Sequence, residues 1–129
     1  MERIDHIAVV VNDLDRALAS YEAMAGLTAE LREDNEAEGL RSAFLTMGQL
    51  VIELIEPRKE GPLARFLESS GQGLHHIAYR VRDMEIVLAR LSERGVKLLD
   101  QEARHDVDGI SIFLDPADTG GVLTELIQR

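Results

Sequence analysis

Four side chains in this sequence could do chemistry: His6, Glu53, His76 and Glu125. Each stands at the head of, or inside, an apolar run. His6 precedes Ile7-Ala8-Val9-Val10-Val11, Glu53 lies between Ile52 and Leu54, His76 precedes Ile77-Ala78, and Glu125 lies between Thr124 and Leu126. A carboxylate buried alone in such a run is costly. Two imidazoles and two carboxylates around one divalent cation remove that cost. This nitrogen and oxygen set suits a first-row ion such as Co²⁺, Zn²⁺, Ni²⁺, Mn²⁺ or Fe²⁺. On an octahedral ion about two positions would stay open, enough to chelate a substrate through two oxygens. Taken singly, a histidine at a strand start is more often hydrogen-bonded to backbone, and a glutamate in a strand can reach out at an edge. The metal reading gains its weight from recurrence, because both halves of the chain carry a His and a Glu at equivalent places.

The elements that must position these residues can be read in order. Ile4–Val11 reads as a strand buried on both faces. Asn12-Asp13 offers a helix N-cap, and Leu14, Ala17, Leu18, Tyr21 and Met24 recur at helical spacing up to Gly26. The patterning predicts a short strand over Thr28–Arg32, an acidic loop over Glu33–Gly39, and strands Arg41–Met47 and Leu50–Glu56 joined at Gly48-Gln49. A charged linker and a short helix, Pro62–Ser69, follow. The first pattern then repeats. Strand Leu74–Val81 leads to a helix capped by Asp83, a short strand is predicted over Val96–Leu99, a polar loop over Gln101–Gly109, and strands over Ile110–Leu114 and Val122–Ile127. His6-Ile7-Ala8 matches His76-Ile77-Ala78, Asp13 matches Asp83, Phe44-Leu45 matches Phe113-Leu114, and Glu53-Leu54-Ile55 matches Glu125-Leu126-Ile127. The expected class is α+β, two βαβββ modules in one domain over residues 1–129. The first module covers about 1–57, a linker helix 58–72 and the second module 73–129. Strand alternation puts His6 with Ala8 and Val10, and His76 with Ala78 and Arg80, on faces turned away from the module helices. It turns His75 the other way, and His105 falls in a loop as an ordinary surface histidine.

Composition excludes several classes of function. A net charge of −10 and the absence of Trp argue against a nucleic-acid partner. No apolar run approaches a membrane span, and no apolar segment follows a basic start as in a signal peptide. With no Cys there is no thiolate ligand or nucleophile, which fits a reducing cytoplasm.

At the same residues the chain resembles the vicinal oxygen chelate superfamily, which includes glyoxalase I, extradiol dioxygenases, fosfomycin-resistance enzymes and methylmalonyl-CoA epimerase. The likeness covers nearly the whole chain. It is strongest to the epimerases and is carried by Ile4-Asp5-His6-Ile7-Ala8, Ile52-Glu53-Leu54-Ile55-Glu56-Pro57, Gly73-Leu74-His75-His76-Ile77-Ala78, Arg94-Gly95-Val96 and Gly121-Val122-Leu123-Thr124-Glu125-Leu126. It implies that His6, Glu53, His76 and Glu125 are the ligands of one divalent metal. The implied fold is an open, U-shaped mixed β-barrel with its helices outside. The implied activity is proton transfer at the carbon alpha to a thioester carbonyl, with an acyl-CoA substrate and a homodimer. Some members keep a Glu where this chain has Ser42, and the usual His-Pro-Lys of the last turn is Asp115-Pro116-Ala117 here. The carboxylates left for proton transfer are Glu36, Glu38 and Glu125, of which Glu125 and Glu38 are the expected pair. A glyoxalase I-like lyase uses the same ligand set and is the first alternative. A dioxygenase would have its open positions crowded by a fourth protein ligand, and a drug-sequestering resistance protein would lack the metal set.

Overall fold

The structure, a computed structural model, describes residues 2–129. The elements run β1 (Arg3–Val10), α1 (Leu14–Ala25), β2 (Leu31–Asn35), β3 (Leu40–Met47), β4 (Leu50–Pro57), α2 (Pro62–Ser70), β5 (Gly73–Arg80), α3 (Met84–Glu93), β6 (Arg104–Asp106), β7 (Gly109–Leu114) and β8 (Thr124–Gln128), with a 3₁₀ turn at Pro116–Asp118 before β8. The expected double βαβββ order is therefore present, and the class is α+β.

Each module makes a mixed run of four strands. In the first the order is β2-β3-β4-β1, with β1 parallel to β4 and the other pairs antiparallel. In the second it is β5-β8-β7-β6, with β5 parallel to β8. By contacts, one compact unit is Ile7–His75; the other joins the residues up to His6 to His76–Arg129. Both boundaries fall inside strands, immediately after His6 in β1 and immediately before His76 in β5.

The two cores follow from alternation. In the unit Ile7–His75, Val11, Leu14, Ala43, Leu45 and Leu54 are buried, with Val9, Leu18, Tyr21 and Ile52 packed on them. In the other, Val81, Met84, Ile112, Leu114 and Leu126 play the same parts, with Tyr79, Leu88 and Leu91 around them. Leu54 and Leu126 are each 0% exposed, and burying a leucine stabilises by roughly 1.5–3 kcal/mol.

Both module helices start in the same way. Asp13 Oδ1 accepts from the Arg16 N–H at 3.1 Å, and Asp83 Oδ1 from the Ile86 N–H at 3.2 Å. One more helix-start donor is met from the last strand of each module: the Leu14 N–H by Glu56 at 2.7 Å and the Met84 N–H by Gln128 at 2.6 Å. These bonds satisfy donors that a helix start leaves open.

Two strands differ from the sequence reading. β2 lies at Leu31–Asn35, not Thr28–Arg32, and takes in part of the acidic stretch. β6 lies at Arg104–Asp106, inside the expected polar loop. Val96–Leu99 contributes one isolated bridge, Leu98 to Leu114. β2 and β6 are exposed along their whole lengths. An edge strand in water needs no apolar alternation and is often charged, so periodicity gives no sign of it. Gly109 opens β7 at a place only glycine can occupy. A Cβ there would run into the carbonyl of Gln128.

Candidate metal centre

The carboxylate and imidazole donors of the second unit converge. His6 comes from β1, His76 from β5 and Glu125 from β8, where Ala78 and Glu125 are register partners. All three are buried, with 7%, 5% and 9% of their surface exposed. His6 Nε2 lies 3.3 Å from His76 Nε2, and His76 Nε2 lies 3.1 Å from Glu125 Oε2. One donor atom from each residue falls within 4.8 Å of the others. The His76 ring also stands edge-on to Phe113 at 5.2 Å, which places an apolar wall beside the group.

The chemistry of this donor set fits a divalent cation. Two neutral imidazole nitrogens facing each other share at most one proton between them, and an ionised carboxylate adds only acceptor capacity. A cation in their midst would accept one lone pair from each of the three residues. Held by two imidazoles and one carboxylate, such an ion would keep positions for oxygen ligands.

Behind His6 lies a second group that sequence reading did not single out. Asp5 Oδ2 accepts from His6 Nδ1 at 2.7 Å. Its other oxygen, Oδ1, accepts from Arg80 Nε and Nη2 at 2.9 and 2.7 Å and from Arg129 Nε at 2.9 Å, while Arg129 Nη2 reaches Oδ2 at 2.9 Å. Burial by itself would raise the Asp5 carboxyl pKa. The hydrogen bonds from His6, Arg129 and Arg80 outweigh it and hold that carboxyl well below the usual aspartate range. Asp5 is thus a buried, ionised carboxylate. One signal for it was available: an Asp between Ile4 and His6 in a buried strand demands cations. Which cations could not be read, since Arg129 is 124 positions away.

The other residues singled out from the sequence lie as follows. Glu53 is half-buried on β4 of the unit Ile7–His75, in register with Ala8 on β1 and Phe44 on β3. Glu38 is exposed in the turn between β2 and β3, where its backbone N–H donates to Asn35 Oδ1 at 3.0 Å. Glu36 is exposed in the same turn, and its carbonyl accepts from Lys59 Nζ at 2.7 Å. Ser42 is buried on β3. His75 packs its ring edge-on to Phe66 of α2 at 4.8 Å, and His105 is exposed on β6. Three arginines meet carboxylates: Arg41 meets Asp34 at 3.2 Å, Arg80 meets Asp5, and Arg104 lies 3.6 Å from Asp106.

A sequence model described as the glyoxalase/bleomycin resistance protein/dioxygenase superfamily matches residues 5–113. The chain belongs to this superfamily. Within it, the chain is 38% identical to an uncharacterized protein, YqjC, of Bacillus subtilis (strain 168), over 99% of this chain and 93% of that one. It is 37% identical to an ethylmalonyl-CoA/methylmalonyl-CoA epimerase of Cereibacter sphaeroides, over 98% of this chain and 97% of that one. Among solved structures it matches a variant of Streptomyces coelicolor methylmalonyl-CoA epimerase in complex with 2-nitronate-propionyl-CoA. That match has a TM-score of 0.87 and 35% identity, over 100% of this chain and 98% of that one. The superfamily fold expected from the paired motifs is thus present along the whole chain.

Proposed function

We propose that the chain is a divalent-metal-dependent epimerase of an acyl-CoA thioester, with methylmalonyl-CoA as the favoured substrate. The observation that carries this reading is the burial of His6 Nε2, His76 Nε2 and a Glu125 carboxylate oxygen within 4.8 Å of one another. It is supported by membership of a superfamily in which the similar Cereibacter sphaeroides protein is an ethylmalonyl-CoA/methylmalonyl-CoA epimerase. The similar Streptomyces coelicolor structure holds a propionyl-CoA analogue. Glu53 is proposed as the fourth ligand, by its equivalence to Glu125 in the repeat. A homodimer working in the cytoplasm goes with this reading.

Inverting a carbon between a thioester and a carboxylate requires a proton to leave one face and another to arrive on the opposite face. A divalent cation held by this donor set would supply positive charge against the negative charge that develops on the substrate oxygens. His6 and His76 would help hold that cation. Glu125 is proposed to take or return the proton on one face. Glu38 is proposed for the other, since the hydroxyl of Ser42 is a weak base without a partner. Phe113, against the His76 ring, shields that side from water.

Deuterium incorporation tests this reading. Protein loaded with Co²⁺ and given methylmalonyl-CoA in D₂O should place deuterium at the alpha carbon and interconvert the two epimers. Glu125→Ala should abolish both. No exchange after loading with Co²⁺, Zn²⁺, Ni²⁺, Mn²⁺ and Fe²⁺ in turn would contradict the epimerase reading. Turnover of the hemithioacetal of methylglyoxal and glutathione instead would assign the lyase activity.

A further inference from the structure

We infer that Asp5, held by Arg80 and Arg129, is a positioning residue that fixes His6 as the Nδ1–H tautomer and so presents its bare Nε2 towards His76 and Glu125. The inference rests on the metal reading proposed above and deepens it.

Neighbouring residues in a strand point to opposite faces, so a contact between the side chains of Asp5 and His6 is not the default. Asp5 Oδ2 nevertheless sits 2.7 Å from His6 Nδ1. The two arginines account for this. Arg80 gives two hydrogen bonds and Arg129 two more, three of them to Oδ1 and one to Oδ2. Together they take up Oδ1 and turn Oδ2 towards the imidazole. A carboxylate has acceptors only, so the nitrogen facing it must carry the proton. The other nitrogen is then the lone pair that a metal needs. A carboxylate behind a ligating histidine has this orienting effect in metal sites generally.

The two guanidinium groups also set the charge. Asp5 and Asp108, which lies 4.0 Å from Arg129, carry two negative charges against the two positive ones, so the cluster orients His6 without placing a net negative charge behind it. The repeat does not place an aspartate before His76. The residue equivalent to Asp5 in the second module is His75, whose ring packs on Phe66.

Asp5→Asn is the discriminating variant, because it keeps the shape and changes the acceptors. Its single carbonyl would be drawn to the three arginine donors at the Oδ1 position. Its amide NH₂ would then face His6 and favour the Nε2–H tautomer, with the proton pointing into the donor group. Long-range ¹H–¹⁵N correlation on metal-free, histidine-labelled protein reads the tautomers of His6 and His76 separately. Titration calorimetry with Co²⁺ reads the affinity.

The wild type should show His6 as Nδ1–H. Asp5→Asn should switch His6 to Nε2–H, leave His76 unchanged and weaken Co²⁺ binding by about 10- to 100-fold. Should Asp5→Asn fail to fold, Arg129→Gln serves. It removes two of the four anchoring bonds, and should give His6 mixed tautomers and a smaller loss of affinity. A purely structural ion cluster would move neither the His6 tautomer nor the affinity of a folded variant, and that result overturns the inference. Wild-type protein with His6 as Nδ1–H that takes up no Co²⁺ overturns the metal reading instead, and with it the purpose assigned to Asp5.

Discussion

Asp5-His6 on β1 and His75-His76 on β5 occupy the same place in the repeat and are supported differently. The first histidine is backed by a buried carboxylate and two arginines. In the second pair the residue before the buried histidine is an imidazole that packs on Phe66, and His76 itself lies between Phe113 and Glu125. The scaffolding around the two pairs is nearly the same. Asp13 and Asp83 cap the two helices, Leu54 and Leu126 fill the two cores, and β1–β4 and β5–β8 are both parallel pairs. The difference shows that repetition supplies the frame while individual side chains break the symmetry around the two buried histidines.

The comparison predicts a graded series of effects. The largest should come from the carboxylates at equivalent places in β4 and β8. Glu125→Ala, read by deuterium exchange, should lose about 10³-fold or more, as expected for the proton-transfer role proposed for it. Glu53→Ala, at the proposed fourth ligand, should weaken Co²⁺ binding by roughly 100-fold, about 2.7 kcal/mol, while leaving the His6–His76–Glu125 group in place. Equal and negligible effects from both would break the account.

The cores should respond alike. Leu54→Ala and Leu126→Ala should each cost about 2–5 kcal/mol in denaturant unfolding. A large difference between them would show that one module carries most of the stability.

The acid limb should isolate the Asp5 cluster. Asp5 has a depressed pKa in the folded chain. The stability it contributes is present above the ordinary aspartate value of about 3.9 and is lost as pH falls below it. The melting temperature of the metal-free wild type should therefore drop more steeply below about pH 4 than that of Asp5→Asn, whose amide does not titrate. Parallel curves would remove the ion cluster from the stability account.

The smallest effects should be the caps. Asp13→Ala and Asp83→Ala should each cost about 1 kcal/mol, and thermal unfolding of the single and double variants would show whether the two losses add.

Much of this was legible in the sequence because burial leaves a pattern. Alternation in Ile7–Val11 and Ile77–Val81 assigns faces, and three of the recurring His and Glu residues, His6, His76 and Glu125, bring their donor atoms within 4.8 Å of one another. β2 and β6 were misplaced because exposed strands such as Leu31–Asn35 and Arg104–Asp106 carry no such pattern. The Asp5 cluster was missed for a different reason. Its partners come from β5 and from the residue after β8, and pairing over such separations is set by tertiary structure. Arg80 illustrates the point, since its guanidinium is held by Asp5, 75 positions away in the sequence.

The central claim is that His6, His76 and Glu125 gather one divalent cation. Anomalous scattering at the cobalt edge from crystals grown with Co²⁺ tests it most directly. The account predicts one strong peak within bonding distance of His6 Nε2, His76 Nε2 and a Glu125 carboxylate oxygen. A peak elsewhere, or none among these three side chains, would contradict it.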